Sequence, residues 1–314
     1  MMEIRTRFAP SPTGYMHLGN AWIAFLNWWW TRQHKGKILL RIEDIDKDRC
    51  HDKYISALQT DLEWLGIDWD EDPGKIYSYG ELRQSKRSSV YEKIRTKWEK
   101  EGVLYPCFCS RARLQKISSA PHLGEENPIY DGHCRNLSME EKKEMTKPPS
   151  WRIKIHKNDI SFNDMFLGMQ KKFLKPCGDD FVIFRADGAV SYQLAAAADD
   201  GAMGVTHVFR GNDLLPSTFY QICLIKKLEY PIPTYGHLPL LVDEKGIRLS
   251  KRQKGITIAE MRDAGVTAPE IIGKFLLWAG VIERVEAIPS REVLHIPFAS
   301  CRNLNKSMIK INNI

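Results

Sequence analysis

The strongest constraint on the fold lies in the first 42 residues, where an apolar run, a proline-rich turn, a helical pattern and a second apolar run follow in order. Residues 4–9 read as a short strand, ended by the turn cluster Pro10-Ser11-Pro12-Thr13-Gly14. From Leu18, the residues Ala21, Trp22, Phe25, Leu26 and Trp29 recur at helical spacing, and residues 37–42 form a buried-type strand. A strand–helix–strand unit of this kind implies a parallel sheet with a right-handed crossover. Helical patterns at 52–65 and 84–101 continue the alternation. The expected class is α/β, a Rossmann-like doubly wound parallel sheet.

The 314 residues make up about two domains at roughly 100–200 residues each. Composition shifts near Tyr105, where three cysteines, several Pro and Gly, and a charged helix-like run at 138–146 begin an inserted segment. Strands are expected at 151–155, 181–184 and 205–210, with a helix starting at 192–198. This divides the chain into a first sheet half (1–104), an insertion (105–190), a second sheet half (191–240), and a loop with a short helical tail (241–314). The tail's apolar stripe is Ile271, Phe275, Leu276 and Trp278.

Hydrophobic residues at 43% and charged residues at 27% exclude disorder as the dominant state. The net charge of +7 permits a polyanionic partner. The most apolar stretch, 22–30, is broken by Asn27 and falls short of the roughly 20 residues of a spanning helix. No secretory leader is legible, and seven cysteines, an odd number, suit a reducing compartment. A cytoplasmic monomer without membrane contact is expected.

Two segments carry phosphate chemistry. His17, Gly19 and Asn20 stand where the first strand gives way to the first helix, and helix N-termini offer free N–H groups and partial positive charge to phosphate. Gly19 would let a nucleotide approach the backbone with no Cβ in the way. Late in the chain, Arg248-Leu249-Ser250-Lys251-Arg252 lies between Gly246 and Gly255. A lysine on such a loop suits a pyrophosphate whose charge peaks in the transition state. Taken singly, a helix cap and a solvated basic loop explain them as well.

Together these segments, with their order in the chain, resemble the His-Ile-Gly-His and Lys-Met-Ser-Lys-Ser signatures of class I aminoacyl-tRNA synthetases. The runs from Arg7 to Gly14, Arg41 to Asp46, Ser191 to Ala195 and Gly204 to Gly211 narrow the resemblance to the glutamyl branch. It implies that Arg7, Phe8, Ala9, Pro10, Ser11, Glu43, Tyr192 and Arg210 line a glutamate site. Glu43 would hold the α-ammonium and the arginines the carboxylates, the geometry for which a guanidinium is suited. His17, Gly19, Asn20, Arg248, Leu249, Ser250, Lys251 and Arg252 would bind ATP with Mg²⁺, and His17 and Lys251 would be catalytic. Asp44 and Asp46 read better as capping or solvated carboxylates than as helpers.

The tail beyond Lys251 is too short for a long anticodon-reading helical domain. The chain is therefore most similar to the glutamyl-queuosine branch, which implies transfer of glutamate to queuosine at the first anticodon position of tRNA(Asp). The alternatives are a shortened enzyme charging the tRNA 3′ end and a non-catalytic zinc-bearing RNA-binding relative.

Cys107, Cys109 and Cys134 form the one cysteine grouping and suggest structural zinc, with His122 or His133 the default fourth ligand from general chemistry. The family pattern Cys-x-Cys…Tyr-x₃-Cys instead implies Tyr130. Cys50, Cys177, Cys223 and Cys301 are scattered. The lysine clusters 142–143, 171–172, 226–227 and 251–254 are candidate RNA contacts or simply wet helix faces.

Overall fold

The computed structural model describes residues 3–110, 112–114, 130–249 and 257–311. Strand β1 (Arg5–Phe8), helix α1 (Leu18–Gln33) and strand β2 (Lys37–Leu40) form the expected unit, and the strands pair in parallel from Arg5↔Lys37 to Phe8↔Leu40. Helix α2 (Asp52–Trp64) follows. The expected helix at 84–101 starts later. A 3₁₀ turn at Gln84–Lys86 precedes α3 (Ser88–Lys100). The inserted segment contains β3 (Leu104–Cys107), a one-turn helix α4 (Met139–Lys143) and β4 (Ser150–Ile153). It continues with β5 (Asn158–Asp164), β6 (Gly168–Leu174) and β7 (Val182–Phe184).

Helix α5 (Tyr192–Ala202) returns the chain to the sheet, where β8 (His207–Gly211) and β9 (Thr234–Leu238) flank helix α6 (Leu215–Lys227) and pair in parallel. Thr206 N donates to Arg5 O at 2.9 Å, which sets β8 beside β1. The last elements are β10 (Leu240–Val242), α7 (Ile258–Asp263), α8 (Ala268–Ala279) and β11 (Met308–Lys310). The tail is more than helical: β11 returns to pair in parallel with β10. None of the helices among the described residues is long and apolar enough to cross a membrane.

Helix α1 is buried on nearly every side, which suits a helix sandwiched between other elements. Its aromatic side chains meet the tail. Trp22 lies edge-on to Phe275 at 5.7 Å and to Trp278 at 6.5 Å, and Phe25 sits 5.3 Å from Phe275. Such pairs add about 0.5–1.5 kcal/mol each beyond simple burial. The indole Nε1 of Trp22 donates to Pro239 O at 3.0 Å, so the large side chain buries no orphan donor. The tail stripe read from sequence thus shares one core with α1, and that core fixes the helix N-terminus on which the site is built.

A second anchor joins α2 to α7. Asp61 is 1% exposed; one carboxylate oxygen accepts from Arg262 Nη1 at 3.1 Å, and the other has no partner among the described residues. Burial outweighs the arginine and pushes the carboxyl up to about 6. The folded protein therefore holds this proton where the unfolded chain, with an ordinary aspartate near 3.8, has lost it. The resulting stabilisation is full below pH 4 and disappears as pH rises through 6. Asp61→Asn should remove this slope. Between pH 4 and 7 the stability of the variant relative to the parent should improve by roughly 2–3 kcal/mol, read from urea midpoints.

Candidate active site

An open cleft of about 440 Å³ lies beyond the C-terminal ends of β1, β8 and β9, where a parallel sheet opens its ligand crevice. It is large enough for a small ligand. Arg7, Phe8, Ala9, Pro10, Ser11, Glu43, Tyr192 and Arg210 all line it. So do His17, Gly19, Asn20, Arg248 and Leu249. Ser250, Lys251 and Arg252 lie outside the described residues.

The floor of the cleft is built on Asp200 of α5, which is 2% exposed. Its Oδ1 accepts from Arg41 Nη1 at 2.6 Å and from Arg7 Nε at 3.3 Å. Burial opposes its charge, but Arg41 and Arg7 hold the carboxyl below the usual carboxylate range. Arg41 Nη2 donates onward to Glu43 at 3.0 Å, and Arg7 Nη1 to Phe209 O at 3.0 Å. Glu43 is different. Burial pushes its carboxyl up in spite of Arg41 and Arg7, so this group lacks a full complement of positive charge. Tyr192 is pushed up by burial and by the Glu43 carboxylate.

Arg210, 4% exposed, is held by three side chains. Nε donates to His237 Nε2 at 3.2 Å, Nη1 to Gln221 Oε1 at 2.6 Å and Nη2 to Thr218 Oγ1 at 2.5 Å. A guanidinium has five N–H donors, so one on each terminal nitrogen takes no acceptor among the described residues. A fork of this kind matches a carboxylate.

At the other end, His17 caps α1. Its Nδ1 accepts from Asn20 N at 3.3 Å, which leaves Nε2 as the N–H donor. The missing side chain of Gly19 also serves the neighbouring imidazole. A Cβ there would stand 3.1 Å from His17 Nδ1, so the missing side chain makes room for the imidazole itself. Arg248 forms an ion pair with Asp213, and both line the cleft. Residue 257, which follows the undescribed 250–256, bridges to His17 in antiparallel fashion, and Ile258 N donates to Met16 O at 2.9 Å. The residues on either side of 250–256 therefore lie beside the same helix N-terminus: Arg248 and Leu249 line the cleft with His17, and 257 and 258 contact His17 and Met16. Asp44 is a structural carboxylate bound by Arg83, Ser85 N at 2.8 Å and Ser85 Oγ at 2.7 Å, and Asp46 pairs with Arg49.

In the inserted segment, the Sγ atoms of Cys107, Cys109 and Cys134 lie within 4.8 Å of one another. Cys109 and Cys134 are 3.6 Å apart, and the Tyr130 hydroxyl is 3.7 Å from Cys107 Sγ. Ligands about 2.3 Å from a tetrahedral zinc stand roughly 3.8 Å apart, so the spacing fits the ion. Tyr130 is buried, whereas His133 is exposed and outside the group; His122 lies outside the described residues. Arg152 packs over the Tyr130 ring at 4.1 Å with Nε 3.3 Å from Cys107 Sγ, and Arg113 Nη1 stands 3.5 Å from Cys109 Sγ. Burial, and then the neighbouring Cys107 charge, push the Cys109 thiol up to about 12.

Sequence reading passed over Asp200, Thr218, Gln221 and His237. The only available signals were polar residues in largely buried helices and a strand: Asp200 meets partners 193 and 159 positions away and His237 one 73 away, while Thr218 and Gln221 lie 8 and 11 positions from Arg210.

A parallel sheet with its crevice at the strand ends and a capped helix N-terminus at its edge are the arrangement expected of a class I synthetase catalytic domain. The family model for class I tRNA synthetases (E and Q), catalytic domain, matches residues 3–306, and the chain belongs to this family of ligases. A glutamyl-Q tRNA(Asp) synthetase of Symbiobacterium thermophilum is 44% identical over 294 residues, 92% of this chain and 91% of that protein. A glutamate–tRNA ligase 2 of Nitrosococcus oceani is 40% identical over 281 residues, 88% of this chain and 59% of that one. Among solved structures, a glutamate tRNA ligase of Elizabethkingia meningosepticum in complex with its amino acid superposes with a TM-score of 0.81 at 26% identity, covering 99% of this chain and 67% of that one.

Asp200→Ala should leave two buried guanidiniums without their shared carboxylate. The expected loss is about 3–5 kcal/mol in urea unfolding, with ligand binding in the cleft impaired even under conditions where the variant is folded.

Proposed function

We propose that this chain activates L-glutamate with ATP, without tRNA, and then transfers the glutamyl group to queuosine at the first anticodon position of tRNA(Asp). The observation that carries the reading is the shared cleft, which joins Arg7, Glu43, Tyr192 and Arg210 at one end to His17 and Arg248 at the other. The likeness to a glutamyl-Q tRNA(Asp) synthetase, at 44% identity over most of both chains, supports the choice of acceptor. The same reading places the protein in the cytoplasm as a monomer.

In the proposed reaction, a glutamate α-carboxylate oxygen attacks the α-phosphorus of ATP. A carboxyl–phosphate bond forms, the bond to the β-phosphate bridging oxygen breaks, and pyrophosphate leaves. Arg7 and Arg210 supply the charge that holds the carboxylates. Glu43, whose carboxyl burial pushes up in spite of Arg41 and Arg7, takes the α-ammonium. His17 donates its Nε2–H to a phosphate oxygen, and Lys251 meets the departing pyrophosphate. Neither forms a bond to substrate; they align the reactants and stabilise developing charge. Mg²⁺ would accompany the phosphates and offset their charge. Phe8, Ala9, Pro10 and Ser11 shape the amino-acid end, and Gly19, Asn20, Leu249, Ser250 and Arg252 the nucleotide end. Cys107, Cys109, Tyr130 and Cys134 would hold a structural zinc within an inserted subdomain, which ties its loops together.

Glutamate-dependent exchange of labelled pyrophosphate into ATP should proceed without tRNA. His17→Ala should lower its kcat by about a hundred- to a thousandfold, with a much smaller change in the KM for glutamate. With queuosine-containing tRNA(Asp), the labelled glutamyl group should map to the first anticodon nucleotide and survive periodate treatment of the 3′ terminus. Loss of product after periodate would show 3′ charging instead, and absence of exchange would overturn the enzymatic reading. One zinc per chain is expected by elemental analysis, lost in Cys134→Ser, with a lower Tm after chelation.

A further inference from the structure

Behind Arg210 lies a buried polar chain with no contact to the cleft. Asp164, the last residue of β5, is 1% exposed, and His237 on β9 is 0% exposed. His237 Nδ1 and Asp164 Oδ2 are 2.6 Å apart, and the backbone N of His237 donates to the same oxygen at 3.1 Å. A carboxylate only accepts, so Nδ1 carries the hydrogen and Nε2 is left as an acceptor. That acceptor receives Arg210 Nε–H at 3.2 Å and lies 2.9 Å from Thr218 Oγ1, which takes the Nη2 bond and itself reaches Leu214 O at 3.2 Å. Burial favours the neutral imidazole. With the opposite tautomer or an imidazolium, two N–H groups would face each other and Arg210 would lose the partner that sets its plane.

Asp164 is fixed in turn. Its Oδ1 accepts from Phe166 N at 3.0 Å and Leu167 N at 3.1 Å, and Met165 N donates to Tyr235 O at 2.9 Å. The tip of an inserted hairpin is thereby pinned to the sheet strand that carries His237. Nothing in the proposed chemistry uses these groups, yet a carboxylate has been removed from water to face one imidazole, an arrangement costly unless it is fully bonded.

We infer that Asp164 and His237 are a positioning pair: they fix the tautomer that orients Arg210, so that its two uncommitted N–H groups meet a substrate carboxylate. The inference rests on the reading of the cleft as a glutamate site. Neither residue touches the substrate, and their effect is on amino-acid capture rather than on ATP.

The test is steady-state pyrophosphate exchange with His237→Leu, His237→Gln and Asp164→Asn. His237→Leu should raise the KM for glutamate roughly ten- to a hundredfold, since it removes an acceptor bonded to a charged donor. The KM for ATP should stay within about twofold. His237→Gln, whose Oε1 falls near the place of Nε2, should recover most of the loss. Asp164→Asn should raise the KM for glutamate several-fold through the weakened tautomer preference. A merely structural role would lower all parameters together, depress the Tm and give no rescue by glutamine, and this result would overturn the proposal. So would an unchanged glutamate KM in folded His237→Leu. If that variant does not fold, an unchanged glutamate KM in Asp164→Asn overturns it. Absence of glutamate-dependent exchange in the unmodified protein would sink the glutamate site and this inference with it. Normal exchange there, with unaltered variants, would sink the positioning role alone.

Discussion

The carboxylate of Asp200 sets the geometry on which the cleft depends. Its desolvation costs several kcal/mol, which only close and well-directed cations can offset. Arg7 at the end of β1 and Arg41 just past β2 supply them at 3.3 and 2.6 Å. Because the aspartate belongs to α5, one oxygen ties a helix to the C-terminal ends of two neighbouring strands. Arg41 passes the constraint to Glu43 at 3.0 Å, and Arg7 passes it to the β8 backbone at Phe209. The charged groups at the bottom of the cleft are therefore placed before any ligand arrives, and binding spends little on ordering them.

The opening β1–α1–β2 unit was legible because local periodicity and the turn cluster 10–14 decide it without help from the rest of the chain. The lining residues at strand ends were legible for the same reason, together with the family likeness. The rest depends on distant partners. Asp200 meets Arg7 across 193 positions and Arg41 across 159, and nothing local marks it as more than the second acid of a helix end. Helix α6 is buried on most of its surface, so it shows no amphipathic stripe, and its proline at the N-terminal turn reads as a loop signal. Burial alternates strictly along the β5–β6 hairpin, but β6 turns Gly168, Gln170 and Lys172 inward and leaves Met169 and Phe173 exposed, so its sequence shows no matching hydrophobic alternation. Strands β10 and β11 are three residues each and pair only once the tail has folded back. The close approach of Gly19 to the His17 imidazole depends on the ring's orientation, which sequence does not reveal.

The cysteine group shows how side-chain geometry discriminates where spacing does not. General ligand chemistry favours a histidine, and two lie in or near the segment. Tyr130 is 1% exposed, with its hydroxyl beside Cys107, while His133 faces solvent and His122 lies outside the described residues. Three thiolates and a phenolate around a divalent cation would carry a net charge of about −2. Arg152, stacked on the phenol, and Arg113, against Cys109, bring two positive charges to that ligand set.

The same electrostatic logic separates the two ends of the amino-acid site. Around Asp200, positive charge exceeds the cost of burial and the carboxyl is held low; around Glu43 it does not, and the carboxyl is held high. The two acids share Arg41, so the difference lies in what each lacks. Asp200 has two guanidiniums in contact, whereas Glu43 has one and faces open cleft. Arg210 is the complement: a buried cation bonded to neutral oxygens and an imidazole, with no carboxylate in direct contact among the described residues. A cleft that holds one under-compensated carboxylate and one guanidinium without an anion is matched by a ligand bearing an ammonium and a carboxylate. Under the proposed function, Arg7 at the same end of the cleft, already shared with Asp200, would favour a dicarboxylic amino acid over one with a neutral side chain.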